Sequence, residues 1–210
     1  MKLRVSREAL LKPLQQVAGV VERRQTLPVL SNVLLQVEGN ILSLTGTDLE
    51  VEMVGRVPLI EGESGEITVP ARKLVDICRE LPDKAEIELI LVGQRLTVKA
   101  GRFRSTLSTL PAEDFPTVEK SLAEMSTRID SKSLKRLLDR TAFAMAQQDV
   151  RYFLNGMLIE MGGNYVKTVA TDGHRLAMST LKLEGASADS RQVILPRKGV
   201  LELQRLLNEV

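Results

Sequence analysis

The sequence predicts an α+β fold made of repeated domains, each of antiparallel sheets plus two helices, with the second copy incomplete. The first observation is an internal repeat at an offset of 124 residues, which lays Leu154–Ile159 over Leu30–Leu35, Gly163-Asn164 over Gly39-Asn40 and Thr171-Asp172 over Thr47-Asp48. A two-residue slip then puts Pro196 on Pro70, and Val200, Leu203 and Leu207 on Leu74, Ile77 and Leu81. A period of this size means two copies of one domain, not a short-repeat solenoid. The second observation is that the strands are joined by tight Gly-Asn turns, so they pair as hairpins and not through βαβ crossovers.

Each copy is expected to open with a short strand, Lys2–Val5 or Ser126–Ile129, followed by a cap residue, Ser6 or Asp130. Amphipathic helices follow over 6–17, with Leu10, Leu14 and Val17 on one face, and over 130–141, with Leu134, Leu138 and Thr141. Pro13 predicts a kink or an irregular turn in the first of these. Hairpins come next, Val33–Val37 with Ile41–Thr45 and Met157–Met161 with Tyr165–Val169, then a strand such as Glu50–Val57. Second helices are expected over 70–81 and 196–207, each starting at a proline. Glu86–Val92, Arg95–Lys99 and Arg102–Leu107 read as three further strands that complete the first copy. The second copy stops about where the first reaches Lys84. Domains are therefore placed at 1–122 and 123–210, the second truncated before its last strands, with Pro111–Glu124 as an exposed linker.

The 210 residues are 43% hydrophobic and 27% charged, ordinary for a soluble globular chain. Aromatics make up 3%, so a broad stacking surface for single-stranded nucleic acid is not expected. The lone Cys78 has no internal disulfide partner and fits a reducing, cytoplasmic setting. Lys12 and Pro13 interrupt the N-terminal apolar run, which argues against a secretory signal, and no stretch reaches membrane-spanning length. The net charge of +2 hides a division: the four helical segments carry +1, +1, +2 and +2, which leaves −4 on the strands and loops. Basic helices on a nearly neutral chain are either solvated faces or a surface for a polyanion.

Three constellations carry candidate chemistry. Thr171-Asp172-Gly173-His174-Arg175-Leu176-Ala177 contains the only histidine. As an enzyme it would be a metal-dependent hydrolase using Asp172 and His174, although no second histidine or carboxylate cluster completes a metal shell. The first copy keeps Thr47-Asp48 and loses the rest, so Thr-Asp reads as a turn bonding itself, and Gly173, His174 and Arg175 as the functional addition. The second constellation, Gln147-Gln148-Asp149-Val150-Arg151-Tyr152-Phe153, is a polar loop ending in aromatics, where Arg23-Arg24-Gln25 stands in the first copy. Such loops contact phosphates and stack on bases, or else Tyr152 and Phe153 begin the hairpin and at least one packs inward. The third is Pro196-Arg197-Lys198, repeating Pro70-Ala71-Arg72-Lys73; cations at a helix start oppose the macrodipole and point to a partner.

Together with Leu27-Pro28-Val29-Leu30-Ser31-Asn32, Thr45–Glu50, Leu107-Ser108-Thr109-Leu110-Pro111 and Gln148–Gly156, these stretches resemble the bacterial β sliding-clamp family, the processivity subunits of DNA polymerase III. The resemblance covers the whole chain and implies a DNA-clamp fold. Family members have three such domains and close as head-to-tail homodimers into a ring around duplex DNA; here no third domain has a counterpart, so the chain is not expected to close a ring alone. The resemblance implies no catalytic residue, cofactor, metal or membrane partner. It implies DNA-facing roles for Arg24, Arg72, Gln148, Tyr152, Phe153, Arg197 and Lys198. Leu154, Thr171, Gly173, His174, Arg175 and Leu176 match a groove that docks a short linear motif of the DNA polymerase III catalytic subunit, the clamp loader, other polymerases and repair proteins. Lys73, Ile77, Arg102, Arg104 and Leu107 match the ring interface. A free-standing peptide-binding module is the remaining reading.

Overall fold

A computed structural model describes residues 1–21, 27–116, 126–183 and 190–208. The chain divides into two compact units, Met1–Glu119 and Lys120–Val210.

In the first unit, β1 (Lys2–Ser6) leads into α1 (Arg7–Val20), whose N-terminus is capped by the Ser6 hydroxyl accepting from the Ala9 amide at 3.2 Å. The hairpin β2 (Asn32–Glu38) and β3 (Ile41–Thr47) is followed by β4 (Glu52–Pro58), the short β5 (Glu61–Gly62) and β6 (Gly65–Pro70), then α2 (Ala71–Glu80). Three strands close it: β7 (Glu86–Val92), β8 (Arg95–Ala100) and β9 (Phe103–Ser108). They form one sheet ordered β5-β1-β7-β8-β9 and another ordered β4-β3-β2-β6. A single core draws on both sheets and both helices, with Leu3, Leu10, Leu14, Leu35, Leu44, Leu74, Leu89 and Val98 all fully buried.

Helix α1 runs unbroken from Arg7 to Val20 with Pro13 inside it, so no irregular turn interrupts it. Its buried stripe of Leu10, Leu14, Val17 and Val20 anchors it on both sides of the proline, and β3 and β4 give it room. A Cβ on Gly46 would stand 2.8 Å from Val17, and one on Gly55 3.2 Å from the Pro13 Cβ, so the two glycines let the helix sit directly on the sheet. Cys78 is buried at the α2 face, where burial pushes its thiol up to about 12 and the Arg7 Nε donates to its carbonyl at 2.8 Å.

The second unit has α3 (Ser131–Asp139), β10 (Gly156–Gly162), β11 (Tyr165–Thr171), β12 (Leu176–Lys182), β13 (Arg191–Pro196) and α4 (Arg197–Leu207). Its sheet order, β12-β11-β10-β13, is that of β4-β3-β2-β6 in the first unit. The register repeats as well. Leu34 pairs with Thr45 and Thr68, and Leu158 with Val169 and Ile194, so the two-residue slip falls between the hairpin and the strand before the last helix. Leu138, Ala144, Met145, Met157, Ala170 and Val200 make its core.

Several sequence expectations fail for local reasons. Ser126–Ile129 is not a strand; chain enters α3 directly from Asp130, whose carboxylate accepts from the Lys132 and Ser133 amides. That helix stops at Asp139, short of Thr141, which lies buried with its hydroxyl donating to the Leu137 carbonyl at 3.0 Å. The proposed linker does not begin as an exposed spacer. Leu110 bridges to Thr68 through two backbone hydrogen bonds, and Phe115 is buried against Val29, Leu30 and Leu34.

Candidate docking and nucleic-acid surfaces

The turn after β11 is built by side chains bonding their own backbone. The Thr171 hydroxyl accepts from the Gly173 amide at 3.1 Å and donates to the Arg175 carbonyl at 2.7 Å. Asp172 Oδ1 accepts from the amides of His174 and Arg175, both at 3.0 Å, while its Oδ2 takes the Arg175 Nε at 2.9 Å. These donors, the Arg175 and His174 amides first, hold the Asp172 carboxyl below the usual range. Both carboxylate oxygens are thereby engaged in the turn, which removes the support for a general acid/base pair with His174. No group of three metal-ligating side chains occurs among the described residues.

The turn displays Gly173, His174, Arg175 and Leu176 at the surface, with Leu176 66% exposed. Leu154 is 8% exposed, so it contributes little to the open surface. Arg175 also lies over the ring of Phe143, 5.6 Å from its centroid, an exposed aromatic that the sequence did not single out.

The loop before β10 is pinned by Asn155. Its side-chain oxygen accepts from the Asp149 amide at 2.9 Å, and its amide nitrogen donates to the Asp149 carbonyl at 2.8 Å. Gln148 is exposed in the left-handed region, at φ 56°. Tyr152 and Phe153 are 83% and 49% exposed and meet edge to face at 6.0 Å, so neither packs inward. Between them and Gln148, Asp149 grips Arg151 through three hydrogen bonds: the Arg151 amide at 2.8 Å, Nε at 3.0 Å and Nη2 at 2.9 Å. Those Arg151 donors, the side chain's ahead of the backbone's, hold the Asp149 carboxyl down at about 2. The same guanidinium covers Gly173, where a Cβ would stand 3.1 Å from Nη2.

The two sets of predicted residues meet at a depression of about 290 Å³. Phe143, Met145 and Gln147 line it together with Asp149, Asp172, His174, Arg175 and Arg197. Arg197 is half-buried and donates to the Met145 carbonyl at 3.3 Å, so it braces this depression as well as opening α4. Lys198 follows it, also half-buried.

In the first unit, Arg72 and Lys73 are exposed in the first turn of α2, and Ile77 is half-buried one turn on. Strand β9 is a sheet edge and exposes Arg104, with Arg102 in the turn before it. Leu107, on the same edge strand, is 5% exposed and its side chain packs in the core. Arg24 lies outside the described residues.

Residues 1–119 match the family described as DNA polymerase III beta subunit, N-terminal domain, and residues 128–210 match its central domain. A beta sliding clamp of Pseudomonas aeruginosa is 65% identical over 210 residues, which is all of this chain and 57% of that protein. One from Escherichia coli is 56% identical over 209 residues, 99% of this chain and 57% of that protein. Among solved structures, the DNA polymerase III subunit beta of Pseudomonas aeruginosa superposes with a TM-score of 0.96 at 64% identity, covering 100% of this chain and 57% of that one. The sliding clamp of Caulobacter crescentus does so with a TM-score of 0.91 at 43% identity, covering 100% and 58%. The chain thus spans little more than half the length of the proteins it matches.

Proposed function

The chain belongs to the DNA polymerase III beta subunit family, and from that premise we propose that it serves as a processivity factor, holding duplex DNA without reading its sequence and docking the proteins that work on it. The observation that carries this reading is the end-to-end likeness to beta sliding clamps. The partners it proposes are double-stranded DNA, the polymerase III catalytic subunit, the clamp loader, and other polymerases and repair proteins. It includes a head-to-tail ring, a cytoplasmic setting and no catalytic step. No helix among the described residues is long and apolar enough to cross a membrane.

A clamp must retain DNA and still let it slide, which calls for phosphate-directed charge at modest density. Arg72 at the start of α2, Arg197 and Lys198 at the start of α4, and Gln148, Tyr152 and Phe153 on the Asn155-pinned loop suit that task, with Arg24 proposed from sequence alone. The Thr171–Leu176 turn suits peptide docking: its backbone is fixed internally, so little ordering is required on binding. Leu154 and Leu176 offer apolar contact there. Lys73, Ile77, Arg102, Arg104 and the β9 edge are proposed for ring closure.

Duplex binding measured against salt tests the division of surfaces. Arg72→Ala should weaken unrelated duplexes equally and flatten the slope of log K on log salt by up to about one unit. His174→Ala should leave DNA binding unchanged. Loss of DNA binding in His174→Ala with retention in Arg72→Ala would reverse the assignment.

A further inference from the structure

Arg151 belongs to neither predicted residue set, yet it touches both surfaces. It precedes the exposed Tyr152–Phe153 pair in sequence, and its guanidinium lies across Gly173 in the docking turn. Its grip there is not shared with the turn: every hydrogen bond described for its guanidinium runs to Asp149. Asp149 in turn is fixed by Asn155, at the other end of the same loop. The guanidinium remains about half exposed, so an incoming anion can reach it.

We propose that Arg151 is an exchangeable clip: Asp149 holds it over Gly173 in the DNA-free protein, and a phosphate of duplex DNA lying on the Tyr152–Phe153 loop draws it away and uncovers the docking turn. Carboxylate and phosphate both accept the guanidinium fork in two parallel bonds, so one partner replaces the other without leaving a donor unpaired. An ion pair this exposed is weak, so the exchange does not require much binding energy. Glycine at 173 has two roles in this device. At φ 88° it satisfies the turn, and its missing Cβ makes the space that the guanidinium occupies. The first unit shows the turn without the clip: Leu49 stands at the equivalent left-handed position, at φ 79°, and Leu27 stands where Arg151 would be. The consequence is positive coupling, with the docking turn more open on DNA than off it.

This inference rests on the DNA-facing reading of the loop, and the experiment separates the two. The Arg151 Nε–H and Gly173 amide signals are followed by ¹H–¹⁵N NMR while a duplex of arbitrary sequence is added, with the backbone amides of Tyr152 and Phe153 reporting contact. The clip predicts that the Arg151 and Gly173 signals shift together, along one binding curve with those of Tyr152 and Phe153. In Asp149→Asn without DNA, the Gly173 signal should already be displaced toward its DNA-bound position. In Arg151→Lys, which keeps the charge and loses the fork, DNA should still shift Tyr152 while Gly173 stays still. Shifts at Tyr152 with a static Arg151 or Gly173 overturn the clip alone. A duplex that shifts none of these signals overturns the clip together with the DNA reading of the loop. An unchanged Gly173 signal in Asp149→Asn also overturns the clip, as does an equal response to inorganic phosphate at matched ionic strength.

Discussion

The turns at Thr47–Val51 and Thr171–Arg175 share a frame and differ in what covers it. In the first, the Thr47 hydroxyl accepts from the Leu49 amide at 3.0 Å, and Asp48 Oδ1 accepts from Glu50 and Val51 at 3.0 and 2.8 Å. In the second, Thr171 and Asp172 make the same three bonds to Gly173, His174 and Arg175. The backbone closure matches too, Asp48 to Val51 at 3.3 Å and Asp172 to Arg175 at 3.4 Å. What differs is the residue in the left-handed corner. Leu49 sits there with its side chain 60% exposed, while Gly173 lies beneath a guanidinium. A two-residue motif therefore builds the scaffold, and the third position decides whether the turn is an end of a hairpin or a surface under control of a neighbouring loop.

The largest expected effect tests whether the frames are equivalent. Asp48→Ala and Asp172→Ala each strip two backbone amides of their acceptor, and each should lower the urea midpoint, by analogy with losing a helix cap. A cost in one unit only would mean that the frames are alike in geometry and unlike in energy. The corner residues should come next, with opposite signs. Gly173→Ala forces a Cβ into a left-handed conformation and against Arg151, and should lose about 1 kcal/mol. Leu49→Gly relieves such strain and should gain up to about 1 kcal/mol, less what glycine adds to the freedom of the unfolded chain. Destabilisation of both variants would show that Leu49 has packing value despite its exposure. The smallest effect is on pH. The Asp149 carboxyl is held at about 2, below its ordinary value near 3.9. Its contribution is therefore fully present above about pH 4 and is lost as pH falls through about 2. The Arg151 Nε–H signal should be steady from neutral pH down to about 4 and then move; movement well above pH 4 would mean that the Asp149 carboxylate is not what holds it.

The sequence made the frame legible because Thr-Asp recurs at the repeat offset and bonds only its neighbours, so no distant contact was needed to infer it. Hairpins and helix caps were legible for the same reason: Gly39-Asn40, Gly163-Asn164, Ser6 and Asp130 act within a few residues. The clip was not. Asp149 and Arg151 are two apart in a loop without periodicity, and the approach of Arg151 to Gly173 depends on the whole hairpin between them. Pro13 sits inside an unbroken helix. The rule against interior proline concerns the helix alone, and here two glycines on the neighbouring strands shape the bed on which that helix lies.

The first unit holds the chain's one thiol and the second its one histidine. Burial keeps Cys78 protonated at any pH at which the protein would be handled, and only the thiolate reacts with disulfide reagents. Its modification thus waits for α2 to lift from the core, and the labelling rate becomes a clock for the opening of the first unit, with no label or substitution introduced. The opening of the first repeat can accordingly be timed in the unaltered chain without interference from the second, which has no thiol.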